Sequence, residues 1–254
     1  MYSDADAAAL YDLLNPWDPV RYPSDAFYRD LVMAADAVLD VGCGTGSMLH
    51  QARQTGHPGR LVGLEPDPAM LDRARRRTDI EWVAGVAAEA AWDREFDLAT
   101  MVGHAFQCLV DDDELRASLI AIRAALREGG RFAFETRHPQ ARAWEDWNPP
   151  NVSEVVDVAG CRLRVWRQVE RVVGDVVTFT ETTSDDDGTV LRVDHASLRF
   201  LDVPALGGVP GRGRLCDRGP VWRLAPRPNH RREPRDRHDR TPDLAPRLER
   251  SLTD

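Results

Sequence analysis

Asp40 stands in an apolar run, Val38-Leu39-Asp40-Val41, that leads directly into Gly42-Cys43-Gly44-Thr45-Gly46. Glycine reaches φ > 0 and carries no Cβ, so a strand entering alternating glycines makes a turn against which a ligand can lie. Nineteen residues after the last of these glycines, Glu65 closes a second apolar run, Leu61-Val62-Gly63-Leu64-Glu65. A carboxylate at that point can accept hydrogen bonds from both hydroxyls of a ribose. Together the two runs point to a nucleoside-bearing ligand. The spacing departs from the dinucleotide fingerprint Gly-x-Gly-x-x-Gly, which needs its third glycine at 47, where the chain has Ser47.

The elements that hold these residues follow from hydrophobic period and turn signals. Helices are expected over Asp4–Leu14 and Ser24–Ala34, the second with Ser24 as N-cap. Strands over Ala37–Val41, Arg60–Glu65, Ile80–Ala84, Phe96–Val102 and Arg131–Thr136 alternate with helices over Ser47–Thr55, Pro68–Arg77 and Asp112–Arg127. That alternation predicts an α/β fold: a parallel sheet, helices on both faces, and a ligand at the carboxyl ends of the strands. From Val152 to Leu201 the period changes to two, with turn signals at Gly160, Gly174-Asp175 and Asp187-Gly188, which predicts an antiparallel meander.

Composition narrows the class. A length of 254 residues suits one α/β domain with an insertion. Residues 1 to 9 are acidic and small, and no run approaches the ~18 apolar residues of a membrane span, so a soluble, unexported, cytoplasmic protein is expected. Cys43, Cys108, Cys161 and Cys216 form no Cys-x-x-Cys pair, which argues against a disulfide framework and against a bound metal.

The run from Val38 to Gly46, with Asp40 and Glu65, resembles the first motif of the class I S-adenosylmethionine (SAM) dependent methyltransferases. The resemblance covers residues 1 to about 206. It implies a helical cap over 1–36, a Rossmann-like SAM-binding core over 37–150, and an antiparallel β-insert with return to the core over 151–206. The implied activity is methyl transfer from SAM to an oxygen or nitrogen of a small molecule. Asp40 would hold the cationic methionine end of the cofactor. Gly42, Cys43, Gly44, Thr45 and Gly46 would form its cradle, and Glu65 with Pro66 would meet the ribose. Asp67 caps the next helix, which leaves Glu65 for the ligand. The family usually places an acid or polar group after the third strand to meet the adenine amine; here Gly85 is followed by Val86, a departure from the pattern. Gly103 and His104 follow the fourth strand, where the family faces the transferred methyl, so His104 is the candidate base. Tyr11, Trp17, Tyr22, Phe106, Arg137, His138 and Trp144 are candidate substrate-pocket residues. Asn148-Pro149-Pro150-Asn151 lacks the aromatic of the N-methylase motif it resembles and reads as the loop entering the insert.

The remaining residues behave differently. From 206 to 254 there are 12 arginines against 7 acids, although the whole chain carries a net charge of −9, and the chain contains no lysine. From 207 onward there is no Phe, Tyr, Ile or Met, and no period of 2 or 3.6 survives. The plain reading is a basic Arg/Pro-rich tail. A sharper one is a frameshift product. Each codon joined to the next in the neighbouring frame lets Gly208 onward read VFLAEAGFAIEARSGDWHPDQTT, then two open residues, then SPEIVTIAR ending at Thr241. That string has a helix and two strands, which is what the resembled family places at its C-terminus. In the chain as written, the C-terminal helix and last two strands are therefore expected to be missing or garbled. The fifth strand would keep an open edge, favouring aggregation and weak activity.

Three other functions fit parts of this pattern. An NAD-dependent oxidoreductase is disfavoured by Ser47, and a nucleic-acid-binding protein would rest on the arginine-rich tail alone. A SAM-binding protein without catalysis shares the glycine motif. The expected partner is a small-molecule acceptor, with neither nucleic acid nor membrane. Sequencing the gene through codons 206 to 241 is expected to show third bases that spell the shifted string. Codons unable to yield it would overturn the frameshift reading.

Overall fold

The computed structural model describes residues 2–202 together with two short strands at 222–224 and 248–251. Five helices and eleven strands follow in the order α1 (Asp4–Leu14), α2 (Pro23–Met33), β1 (Ala37–Val41), α3 (Ser47–Gln54), β2 (Arg60–Glu65), α4 (Pro68–Ala74), β3 (Glu81–Ala84), β4 (Phe96–Met101), α5 (Asp112–Ala125), β5 (Leu126–Phe134), β6 (Ser153–Val156), β7 (Arg162–Val173), β8 (Val176–Asp185), β9 (Val190–Arg199), β10 (Trp222–Leu224) and β11 (Leu248–Ser251). The first sheet runs β10-β11-β5-β4-β1-β2-β3, and the second β6-β7-β8-β9.

Alternating side chains on β1 and β2 build two cores. Leu39 and Val62 face Leu115 and Ile122 of α5, whereas Val38 and Leu61 face Tyr28 and Val32 of α2 and Leu49 of α3. A parallel sheet covered on both faces requires this doubly apolar pattern. β1 pairs with both β2 and β4 in parallel. The connections therefore leave in opposite directions beside β1, and a crevice opens at its carboxyl end.

Helix boundaries follow their caps. Ser3 and Asp6 form a capping box at the start of α1. Asp67 and Asp111 each accept two backbone N–H bonds at the starts of α4 and α5. Helix α2 differs from expectation. It starts with Pro23 at its first position and Tyr22 before it, and Ser24 lies buried inside the first turn. Proline's fixed φ and missing N–H suit that first position, so the helix gains a residue there.

β5 begins at Leu126, five residues before the expected start, and it includes Gly129-Gly130. A Cβ on Gly130 would lie 2.9 Å from the Arg127 carbonyl oxygen and 3.2 Å from that of Phe96. The glycine therefore permits the β4–β5 register shift between Phe96 and Leu98. The meander is present as β6 to β9, fully antiparallel, with longer strands than the turn signals suggested. Trp147, Val177, Phe179, Leu198 and Phe200 pack beneath it. Helix α1 joins the two sheets, because Leu10 packs with Leu163 and Val165 of β7 and Asp4 pairs with Arg192 of β9 at 2.6 Å.

The edge of β5 is not open, which corrects the expectation of missing terminal strands. β11 pairs antiparallel with Arg131–Phe134, and β10 pairs antiparallel with β11. Strand pairing uses backbone groups, so an unpaired edge accepts extended chain of many sequences. The helix of the shifted reading and most of the Arg/Pro-rich tail lie outside the described residues. Among the described residues, no helix is long and apolar enough to cross a membrane.

A Cβ on Gly46, where φ is 77°, would lie 2.4 Å from the Trp82 ring, whereas one on Gly129, where φ is 76°, meets nothing within 4 Å. Denaturant unfolding should therefore show Gly46→Ala costing about 2–4 kcal/mol, from strain plus overpacking. Gly129→Ala should cost only about 1 kcal/mol, from the left-handed backbone.

Candidate active site

Asp40 is 1% exposed at the crevice end of β1. Its Oδ1 accepts a 2.8 Å hydrogen bond from the Thr100 hydroxyl on β4. Its Oδ2 accepts no hydrogen bond among the described residues, and Asp40 borders the crevice cavity. Burial pushes the carboxyl up to about 7, and Glu65 adds to the rise while the Thr100 hydrogen bond opposes it.

The three glycines divide their work. All have positive φ: 70° at Gly42, 55° at Gly44 and 77° at Gly46. A Cβ on Gly42 would meet Ala105 Cβ at 2.7 Å, and Gly46 lies under Trp82, so these two make room for protein. Gly44 faces Tyr11 across the cavity, with 3.9 Å between an ideal Cβ and the ring. Only Gly44 leaves space a ligand can use.

Glu65 is engaged rather than free. Its two oxygens accept backbone N–H bonds from Gly44 at 2.8 Å and Asp67 at 3.0 Å. The carboxylate thus fastens the end of β2 to the glycine turn. Each oxygen keeps a second lone pair. Burial raises the Glu65 pKa, and the two N–H bonds oppose that rise. The expected capping by Asp67 is present.

Among the expected cofactor residues, Asp40, Gly42, Cys43, Gly44, Thr45 and Gly103 border one cavity, as do Tyr11, Trp17, Tyr22 and His104. Gly46, Glu65, Pro66, Gly85 and Val86 do not border it. Phe106 is corrected to a core residue, stacked on Phe134 at 4.2 Å in the α5-side core. His138 caps a one-turn helix by accepting from Gln140 N. Trp144 packs edge-on against Phe200 and borders a second cavity beside the insert. The apolar patterning that marks these aromatic residues serves packing equally well.

His104 is also corrected. Its Nε2 lies 2.7 Å from Nη2 of Arg137. A guanidinium only donates, so Nε2 accepts and the proton of the neutral ring sits on Nδ1. Burial and the charges of Arg137 and Arg167 hold the ring well below its usual pKa. A base needs a free acceptor nitrogen, and His104 has none in this arrangement. Arg137 is 4% exposed and also donates from Nη1 to Gln107 Oε1 at 3.1 Å.

Three site residues escaped the sequence reading. Glu135, buried just beyond β5, accepts from Gly103 N at 2.9 Å. Its signal was available, because it follows a strand end as Asp40 and Glu65 do. Gln107 is fully buried and carried no signal. Asp12 on α1 accepts from the Thr45 hydroxyl at 2.5 Å and pairs with Arg73 of α4, tying the cap to the glycine turn. A helical acid separated by 33 residues from its partner leaves no local pattern.

Among known proteins, residues 38–130 match a family model described as a methyltransferase domain. Residues 38–130 are thus similar to a methyltransferase domain. The chain is 31% identical over 154 residues to a 2-phytyl-1,4-naphtoquinone methyltransferase of Thermosynechococcus vestitus, covering 55% of this chain and 65% of that one. It is 31% identical over 105 residues to a cypemycin N-terminal methyltransferase of a Streptomyces species, covering 40% and 42%. The chain thus spans less than two thirds of the length of these relatives. SAM-bound CalS10 of Micromonospora echinaspora, an amino pentose methyltransferase, superposes with a TM-score of 0.67 over 100% of this chain and 98% of its own, at 22% identity. At that identity the likeness establishes the fold.

Asp12→Ala should cost about 1–3 kcal/mol in denaturant unfolding, because Arg73, with 19% side-chain exposure, loses its partner. Arg29→Ala, at the exposed pair with Asp30, should change stability by less than about 0.5 kcal/mol.

Proposed function

We propose that the protein moves a methyl group from SAM to an oxygen or nitrogen of a small-molecule acceptor. The observation that carries this reading is the buried Asp40 carboxylate beside the glycine turn, with one oxygen left to the cavity. The residues present fit the cofactor. Asp40 suits its cationic amino group, Gly44 leaves room for close backbone approach, and Glu65 and Glu135 add negative charge around the turn. Bound SAM supplies an electrophilic sulfonium methyl.

The protein's share is then to bind, orient and exclude water. Tyr11 covers the turn from α1, and its hydroxyl would lie 3.3 Å from a Cβ on Gly103. Burial and the surrounding acids push its pKa up to about 12, so it stays protonated and can donate a hydrogen bond. His104, the histidine that borders the cavity, does not serve as a free imidazole base, because its Nε2 is taken by Arg137. The rate then rests on holding an acceptor in line at ~3 to 3.5 Å from the methyl.

Asp40 sets a pH dependence with a definite sign. Burial raises its folded pKa to about 7, well above the ordinary range of an aspartate, so the carboxyl favours the fold most at low pH and that contribution is lost as pH rises through 7. Binding a cation requires the charged form and therefore runs the other way. Calorimetric titration should show SAM affinity falling by up to about tenfold per unit below pH 7 and levelling above it. Asp40→Asn should weaken binding at pH 8 by at least about tenfold, the loss of one charged hydrogen bond, and flatten the profile. Absence of SAM binding by the unmodified protein at pH 8 would overturn the function proposed.

A further inference from the structure

Arg137 is a buried cation whose described hydrogen-bond acceptors are both neutral. Nη1 goes to Gln107 Oε1 and Nη2 to His104 Nε2. Among the described residues Nε has no partner, nor do the adjacent Thr136 hydroxyl and His104 Nδ1. Among the described residues no carboxylate forms an ion pair with Arg137. Glu135 acts on it from a greater distance, and its side chain accepts from Gly103. A second guanidinium adds to the surplus. Arg137 and Arg167 both lie over the Trp147 ring, at 5.4 and 5.6 Å. Arg167 has its counter-ion, Glu181, at 2.8 Å, and Arg137 does not. Buried charges are ordinarily paired. Burial and Arg167 together pull Arg137 down to about 10, which still leaves it charged at neutral pH.

The neutral group in place of a counter-ion is His104, which borders the crevice cavity. It is half-buried, and its backbone is held in the left-handed region at φ 74°, which is uncommon for residues other than glycine. An anion that displaced the ring would replace a neutral acceptor with a charged one. Charge-assisted bonds from guanidinium to carboxylate or phosphate are about twice as strong as neutral ones and can be bidentate.

We propose that Arg137 anchors a carboxylate or phosphate on the methyl acceptor, and that His104 occupies its Nη2 until that anion arrives. This rests on the methyl-transfer reading for the identity of the bound molecule as acceptor. Anion binding itself does not depend on it. The site then has two poles: acids at the glycine turn for a cationic cofactor, and a guanidinium beyond Gly103 for an anionic acceptor.

The test is an NMR titration of the full-length protein saturated with S-adenosylhomocysteine, following the Trp147 indole N–H, identified with Trp147→Phe. Acetate, inorganic phosphate and neutral acetamide are added at constant ionic strength. Acetate or phosphate is expected to move the resonance saturably, and acetamide is not. The more tightly bound of the two anions distinguishes a carboxylate from a phosphate acceptor. Arg137→Gln should weaken the effect at least tenfold, and Arg137→Lys should retain part of it. His104→Ala should bind the anion at least threefold more tightly, because the competitor for Nη2 is gone. A purely structural His104, or one that helps to bind the acceptor, would give the same or weaker binding. If Arg137→Gln fails to fold, the His104→Ala and acetamide arms decide. No saturable shift with either anion, an equal shift with acetamide, an unchanged effect in folded Arg137→Gln, or unchanged or weaker binding in His104→Ala would overturn the proposal. If S-adenosylhomocysteine itself fails to bind, the methyl-transfer reading falls, and anion binding is then judged on the unliganded protein.

Discussion

The crevice depends on a carboxylate kept where a carboxylate is costly. Asp40 sits at the end of a strand buried on both faces, among Val38, Leu39 and Val41. One hydroxyl hydrogen bond from Thr100 offsets little of its desolvation. The register of β1 against β4 brings the two residues opposite each other, so the sheet itself determines how Asp40 is satisfied. The same sheet end holds Glu65 and Glu135, each tied to a backbone N–H of a glycine. Packing of the parallel core thereby produces a ring of acids around a turn with little side-chain bulk. Such a ring becomes favourable when a cation enters it.

Helix α1 turns that sheet end into an enclosed site. On one side Leu10 packs into the antiparallel insert, and on the other Asp12 grips Thr45 and Arg73 of the core. Tyr11, between them in sequence, lies over Gly44 and Gly103. A helix held at two faces by different layers fixes the residue between its anchors, so the position of Tyr11 follows from contacts on both sides of it.

The two central strands β1 and β2 were legible because each carries a doubly apolar run between clear turns. β1 and β2 have the bounds read from the sequence. Asp40 and the glycine turn were legible for the same reason: a charge or a glycine at the end of such a run has few structural uses. What was hidden depends on distance in sequence. Spacing alone could not show that Gly42 and Gly46 make room for Ala105 and Trp82 while Gly44 faces the cavity. Nor could it show that the imidazole of His104 is committed to a guanidinium 33 residues away. Val86 leaves the adenine end as underspecified in three dimensions as it is in one, since neither it nor Gly85 borders the cavity.

The edge of the sheet connects the unusual tail to the site. β11 pairs with Arg131–Phe134, and the next three residues are Glu135, Thr136 and Arg137. Those three carry the acid on Gly103, a hydroxyl without a partner, and the buried guanidinium. β5 is therefore held on one side by β4 and on the other by whatever chain supplies the antiparallel neighbour. A four-residue strand fixes less backbone than a longer one, and each ladder hydrogen bond it lacks is a restraint removed just before the site. The reading frame after residue 206 thus bears on function through backbone pairing, by setting how firmly the strand that delivers Glu135 and Arg137 is held.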